Sequence, residues 1–105
     1  MRDIHVAHLD KARPVVVLTR DPVRAAMRGV TVAPITTTIK GLSTEVAVGP
    51  DNGLDQPSVV SCDRIITIDK AALGRHLGFL FERQEGELTA AIVNAFALRT
   101  DDFCR

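Results

Sequence analysis

RPVVVL, residues 13–18, decides the fold of this chain, because three consecutive valines behind a proline favour a buried β-strand. A second stretch, APITTT at residues 33–38, joins another apolar run to three threonines. Each stretch places a polar side chain at the end of a hydrophobic strand, Arg13 in the first and Thr36 in the second. A guanidinium and hydroxyls at strand ends can form a shallow polar site that suits a phosphodiester ligand.

The length and composition indicate one folded domain spanning residues 1–105. The chain has 105 residues, of which 46% are hydrophobic, so an intrinsically disordered chain is excluded. A core of this size also favours a homodimer, in which a second subunit covers apolar surface. The four aromatic residues are all phenylalanines, which is fewer than base-stacking platforms normally use.

The charges are balanced overall but unevenly distributed. The formal net charge is zero, yet residues 1–40 carry seven Lys/Arg against three Asp, a difference of +4, and residues 41–105 carry −4. A basic half suits a phosphate-backbone ligand. The alternative is that these charges belong to an ordinary solvated surface and bind no ligand. On the charge distribution alone, this alternative is favoured.

The cysteines and histidines predict neither a disulfide framework nor a metal site. Cys62 lies in an apolar run and is expected to be buried, whereas Cys104 is the penultimate residue. His5 and His8 are three residues apart in a predicted strand and therefore point to opposite faces. The sequence shows no signal peptide or transmembrane run, so we expect a cytoplasmic protein without membrane contact.

Hydrophobic patterning predicts a mainly β domain with a C-terminal helix. Asp21-Pro22 begins a turn or short helical piece through Met27, and Asp69 is expected to cap a short helix through His76. Short strands that close into a small barrel are expected at residues 4–9, 14–19, 30–38, 43–48, 58–62, 65–68 and 77–81. The clearest helical stripe consists of Leu88, Ala91, Ile92, Ala95 and Phe96.

An ordered series of motifs resembles one known family. The series is RPVVVL, PITT, GLSTEV, SVV, DRIITIDK and LG, and it covers nearly the whole chain. It is similar to the MazF/PemK toxins, most closely to their actinobacterial branch. The resemblance implies an SH3-like barrel of the CcdB/MazF/PemK type. It also implies a homodimeric endoribonuclease that cuts single-stranded RNA without a metal or other cofactor and is neutralised by a MazE-like antitoxin.

The resemblance also assigns roles to particular residues. The family's catalytic arginine falls on Arg13 and its catalytic threonine on Thr36. Arg64 stands where the family usually has glutamine, and an arginine there favours acceptor edges such as those of guanine. Further RNA contacts are expected from Lys11, Thr37, Thr38, Lys40, Asp63 and Arg64.

Two other functions remain open on the sequence. A CcdB-like gyrase poison shares the fold, but such proteins depend on a C-terminal tryptophan, and this chain has no Trp. A catalytically silent SH3-like binding module is the other alternative, and the presence of both Arg13 and Thr36 argues against it. On residue type alone, Arg13 would be an ordinary surface arginine and the threonines ordinary strand formers.

Overall fold

The computed structural model describes residues 2–20 and 26–98 and confirms a mainly β fold with a C-terminal helix. The helix, α1, spans Glu82–Phe96. The strands are β1 (Arg2–His8), β2 (Ala12–Val17), β3 (Gly29–Thr36), β4 (Glu45–Val48), β5 (Ser58–Ser61), β6 (Ile66–Asp69) and β7 (Leu73–Leu80).

The strands form one curled antiparallel sheet in which β3 is central. The order is β4-β5-β3-β2-β1-β7, and β6 also pairs with β3. One edge of β3 pairs with β2, while the other pairs with β6 up to Val32 and with β5 from Ile35 onwards. Pro34 lies at this change of partner, where its missing N–H removes no bond from either of those two ladders. The second partner of β3 therefore changes at Pro34.

Both faces of the central strands are buried. On one face, Val16, Ala33 and Ile35 pack with Leu88 and Ala91 of α1. The other face carries a second cluster of Ala7, Val15, Val17, Val30, Val32 and Ile68. Side chains alternate between these clusters along β2 and β3, as the period of two in a strand requires.

The predicted helix from Asp69 to His76 is wrong. Asp69 does cap a turn, since its Oδ1 accepts a hydrogen bond from the Ala71 amide at 2.8 Å, but the turn is a single 3₁₀ turn at Lys70–Ala72. β7 then continues through His76 and pairs with β1 along its length. Gly74 and Gly78 have low helix propensity, and pairing with β1 satisfies the backbone instead.

Other element predictions differ in detail. Leu88 and Ala91 are buried as predicted, but Phe96, the last residue of α1, is 57% exposed. Strand β3 ends at Thr36, so Thr37 and Thr38 belong to the following loop. Most of the piece predicted from Asp21 to Met27 lies outside the described residues. Within 2–20 and 26–98, no helix is long and apolar enough to cross a membrane.

A buried amide pair joins α1 to the loop after β4. Asn52 and Gln84 exchange two hydrogen bonds, from Asn52 Nδ2 to Gln84 Oε1 at 2.7 Å and from Gln84 Nε2 to Asn52 Oδ1 at 3.1 Å. Each amide also bonds backbone groups: Asn52 contacts Gly49 and Phe79, and Gln84 contacts Ala47 and Phe81. Every donor and acceptor of the pair is satisfied, as burial of polar groups requires.

The same loop touches β7 through two glycines. Gly53 has a φ of 90°, in the left-handed region that favours glycine. A Cβ added at Gly78 would overlap the Asn52 carbonyl oxygen and lie 2.8 Å from its carbonyl carbon. The backbones of the loop and of β7 therefore approach so closely that neither position has room for a side chain.

Cys62 gives the fold a pH dependence in the alkaline range. The side chain is buried as predicted, and burial together with the negative charge of Asp63 raises the pKa of its thiol from 9.0 to about 11. Between these values the unfolded chain loses the proton and the native chain keeps it, so the free energy of unfolding falls as pH rises. We expect this fall to reach up to about 1.4 kcal/mol per pH unit.

Urea unfolding of the reduced protein at pH 8, 9 and 10 measures this effect. Other groups also titrate in this range, so a Cys62→Ala variant serves as the reference. Wild-type stability should fall more steeply than that of the variant. Parallel stability curves for the two proteins would contradict the assignment.

Candidate functional site

Arg13 and Thr36 project from the same face of two adjacent strands. The β2–β3 ladder pairs Val17 with Val32 and ends at the pair Val15–Pro34. Arg13 lies two residues beyond Val15, and Thr36 lies two residues beyond Pro34. Since side chains two residues apart share a face, both project from strand ends on the side of the Val15 cluster. The guanidinium and the hydroxyl expected from the sequence are thus brought to one place.

The two side chains line one groove, which we call the Arg13–Thr36 groove. It has a volume of about 370 Å³ and is bounded by the end of β2, the loop after β3 and the turn after β5. Its walls also include four other residues predicted to contact RNA. The complete lining is Arg13, Pro34, Thr36, Thr38, Lys40, Leu42, Glu45, Ser61, Asp63 and Arg64.

The Arg13 guanidinium is half-exposed and weakly paired. Its Nε lies 3.8 Å from Oδ1 of Asp10, a side chain that is 78% exposed. An exposed ion pair at this separation contributes less than about 1 kcal/mol. The planar fork of guanidinium donors therefore suits an anion entering the groove better than it suits Asp10.

A local hydrogen bond orients the Thr36 hydroxyl. Its Oγ1 accepts from the backbone N–H of Thr38 at 3.1 Å, a short-range bond of the kind hydroxyls make in turns. Because the oxygen is the acceptor here, the O–H remains able to donate elsewhere. The loop after β3 thus holds the Thr36 oxygen at the groove wall and leaves its proton available for another acceptor.

The charged side chains of the groove differ in whether they already bond other groups of the protein. Asp63 Oδ2 accepts a hydrogen bond from Thr44 Oγ1 at 2.6 Å, which ties the turn after β5 to the start of β4. Lys40 and Arg64 add two cations to Arg13 in the lining. The groove holds three cations and two carboxylates, and the carboxylate of Asp63 is engaged within the fold. An anionic ligand is therefore favoured.

Sequence reasoning missed Glu45, whose side chain shapes one wall. Its Oε1 accepts hydrogen bonds from the backbone amides of Lys40, Gly41 and Leu42 at 3.2, 2.8 and 3.2 Å. A carboxylate held by amide donors makes charge-assisted bonds that order a loop. By residue type alone, Glu45 is an ordinary outward strand residue. No sequence pattern marks this role, because the partners are backbone amides.

Removing the Glu45 carboxylate is expected to loosen this loop. Hydrogen bonds to charged groups contribute about 1.5–3 kcal/mol, so amide exchange at Lys40, Gly41 and Leu42 should quicken by about 10- to 100-fold in Glu45→Ala. Hydrogen exchange followed by NMR measures these amide exchange rates. Glu87→Ala is the matched control, because Glu87 pairs only weakly with Arg83 on the exposed face of α1. Unchanged exchange in Glu45→Ala would contradict the role.

Two predicted RNA contacts lie outside this groove. Thr37 lines a neighbouring groove of about 540 Å³, which shares Arg13 as a wall and also includes Asp55, Arg75 and His76. Lys11 lines neither groove. Its loop before β2 is exposed, and its amide bonds Asp10 instead. The remaining predicted residues, Arg13, Thr36, Thr38, Lys40, Asp63 and Arg64, are brought together.

Comparison with known proteins places the chain in a family. The sequence pattern of the PemK-like, MazF-like toxins of type II toxin–antitoxin systems matches residues 3–96. The chain is 60% identical over 98 residues to Endoribonuclease MazF3 of Mycobacterium tuberculosis, covering 93% of this chain and 95% of that protein.

Solved structures give the same result. The Mycobacterium tuberculosis toxin MazF-mt6 superposes with a TM-score of 0.91 at 59% identity, over 93% of this chain and 99% of that chain. A mycobacterial endoribonuclease in complex with its cognate antitoxin matches with a TM-score of 0.83 at 26% identity, over 92% and 93% of the two chains.

Proposed function

Since the chain belongs to the PemK-like, MazF-like toxins of type II toxin–antitoxin systems, we propose that it is a sequence-selective endoribonuclease of single-stranded RNA. The observation that carries the proposal is the shared position of Arg13 and Thr36 in one cationic groove. Half of the lining residues are exposed and none is buried, so an RNA strand can reach the groove from solvent. RNA suits this groove because its own ribose supplies the nucleophile, so the protein need not provide one.

The proposed reaction is transesterification within the RNA. The 2′-oxygen forms a bond to the adjacent phosphorus, and the bond from phosphorus to the 5′-oxygen breaks. The 2′-hydroxyl loses its proton and the leaving 5′-oxygen gains one, giving a 2′,3′-cyclic phosphate and a 5′-hydroxyl. Neither a protein nucleophile nor a metal is required, because alignment and charge stabilisation supply the catalysis.

Arg13 and Thr36 make different contacts with the scissile phosphate. The Arg13 fork binds two phosphate oxygens and stabilises the additional negative charge of the phosphorane-like transition state. A guanidinium holds its protons tightly, so Arg13 acts as a clamp and cation rather than as a proton donor. The Thr36 O–H donates to a non-bridging oxygen, in the orientation that the Thr38 amide favours.

The remaining groove residues position and read the strand. Lys40 and Thr38 contact the sugar-phosphate backbone. Arg64 offers a donor fork to base edges, and Asp63 offers the carboxylate oxygen other than the Oδ2 that Thr44 binds. We further propose that the protein works in the cytoplasm as a homodimer, with a MazE-like antitoxin as its inhibitor. Antitoxin binding is supported by the mycobacterial endoribonuclease that was solved with its cognate antitoxin.

The decisive experiment is cleavage of a long single-stranded RNA in excess EDTA, followed by mapping of the new 5′ ends. We expect discrete cuts at one short sequence, with 5′-hydroxyl ends that polynucleotide kinase phosphorylates directly. A single-stranded DNA of the same sequence is the control and should remain intact, since it lacks the 2′-hydroxyl. Intact RNA, or cuts bearing 5′-phosphates, would contradict the proposal.

Replacement of Thr36 tests the hydroxyl separately from the fold. Thr36→Val keeps the β-branched shape and removes the O–H, so cleavage should slow by about 10²–10³-fold, the usual loss for one transition-state donor. Thr31→Val is the matched control, because Thr31 is also on β3 and its Oγ1 bonds Thr67 at 2.7 Å, away from the groove. Single-turnover rates within threefold of wild type in Thr36→Val would remove the residue from the mechanism.

A further inference from the structure

We propose that Asp3, His5 and His76 form a zinc site that clamps β1 to β7. One ligand atom from each side chain lies within 4.8 Å of the other two. Two imidazoles and a carboxylate are a donor set that zinc and similar transition metals prefer, whereas Ca²⁺ and Mg²⁺ favour oxygen ligands throughout. The inference does not rest on the proposed RNA cleavage.

The strand register brings the three residues together. Asp3 and His5 are two residues apart on β1 and so share a face. His76 is the partner of His5 across the β1–β7 ladder, and the register shifts on both sides of this pair. Such irregularities re-aim side chains, and the His5 and His76 rings lie in a T-shaped arrangement with centroids 5.0 Å apart.

The separation of two of the ligand atoms fits a tetrahedral ion. His76 Nε2 and Asp3 Oδ1 are 3.2 Å apart. Zinc bonds of about 2.0–2.1 Å in tetrahedral geometry place neighbouring ligand atoms about 3.3 Å apart. The pair needs almost no movement to bind one ion, and a ligand atom of His5 lies within 4.8 Å of both.

A backbone contact prepares His5 for metal binding. The Gly74 carbonyl oxygen lies 2.9 Å from His5 Nδ1, and a carbonyl can only accept, so Nδ1 carries the proton. In the neutral ring this leaves the Nε2 lone pair for the metal. A carbonyl that fixes the tautomer of a ligating histidine is the usual outer support of a zinc site. Three protein ligands leave the fourth position to water.

The site is distinct from the Arg13–Thr36 groove, because none of its three residues lines that groove. His76 lines the neighbouring groove instead, where it is half-exposed and reachable by an ion from solvent. The clamp would join the first strand to the last along the edge of the sheet. Binding to the native state alone stabilises it by mass action, so zinc should raise the melting temperature.

Isothermal titration with ZnCl₂ and thermal melting test the site, in a Cys104→Ser background that removes a competing terminal thiol. We expect saturation at one ion per chain and a rise in melting temperature. His76→Gln and Asp3→Asn should each weaken binding by at least about tenfold and abolish the zinc-dependent rise. Both side chains are partly exposed, so the variants should fold, and melting without zinc checks this.

His8→Gln is the matched control. His8 is also on β1 and its ring lies near Gly74, but it is not one of the three residues. This variant should bind zinc like the parent. Absence of saturable binding in the parent, unchanged binding in both ligand variants, or an equal loss in His8→Gln would each overturn the assignment. RNA cleavage in EDTA is unaffected by any of these outcomes, so the two proposals fail independently.

Discussion

Arg13→Ala is expected to lose RNA cleavage by about 10³-fold or more while the protein stays folded. A guanidinium that binds two oxygens of a phosphoryl centre removes more barrier than a single neutral donor, which accounts for about 10²–10³-fold. The folding cost should be small, because the side chain is half-exposed and its pairing with Asp10 is long at 3.8 Å. Single-turnover cleavage of a short RNA that contains the mapped site measures the loss.

Two further variants separate charge from shape at this position. Arg13→Lys keeps the positive charge but not the planar fork, so its rate should fall between those of wild type and Arg13→Ala. Arg83→Ala is the control for removing a surface arginine, since Arg83 lies on the exposed face of α1 and pairs with Glu87. Comparable rates in Arg13→Ala and Arg83→Ala would show that the groove is not where RNA is cut.

Gly78→Ala is expected to destabilise the fold by about 3–5 kcal/mol, a loss typical of severe overpacking or backbone strain. The added methyl group would overlap the Asn52 carbonyl oxygen and lie 3.3 Å from the Gly53 nitrogen, and both are backbone atoms that cannot rotate away. Relief requires the loop and β7 to separate. The free energy of unfolding in urea, compared with wild type, gives the magnitude.

Gly86→Ala is the matched control, because it makes the same chemical change in open space. Gly86 lies inside α1, and a Cβ there meets nothing within 4 Å. Alanine has the higher helix propensity, so this variant should be more stable by about 0.5–1 kcal/mol. The two substitutions should therefore have opposite signs. A loss of less than about 1 kcal/mol in Gly78→Ala would contradict the close approach.

The sequence predicted the two strands at the centre of the sheet, although their ends are displaced by one or two residues. A run of valines strongly favours a β-strand, and successive side chains of a strand point to opposite faces. Once β2 and β3 are known to be neighbours, Arg13 and Thr36 are therefore expected on the same face of the sheet. The groove itself depends on the loop after β3 and the turn after β5 converging. Spacing along the chain carries no information on that convergence.

The missed features share a physical cause, which is that tertiary pairing decided them. Residues 70–76 read as a short helix by local signals, and the edge of β1 made most of that segment a strand. That error hid the approach of His76 to His5, because a helical His76 has no register against β1. Glu45 was hidden in a different way, since its partners are backbone amides that no sequence pattern displays.

The reciprocal amide bonds between Asn52 and Gln84 have a consequence for how the helix finds its place. An apolar stripe alone would allow α1 to slide along the sheet, because hydrophobic contacts are non-directional. A shift of one helical turn, about 5.4 Å, would leave the side-chain amides of Asn52 and Gln84 and several backbone groups buried without hydrogen bonds. The amide pair therefore fixes the position of α1 along its axis, because its hydrogen bonds form in only one position. A helix docked one turn away would lack these bonds and be the less stable arrangement.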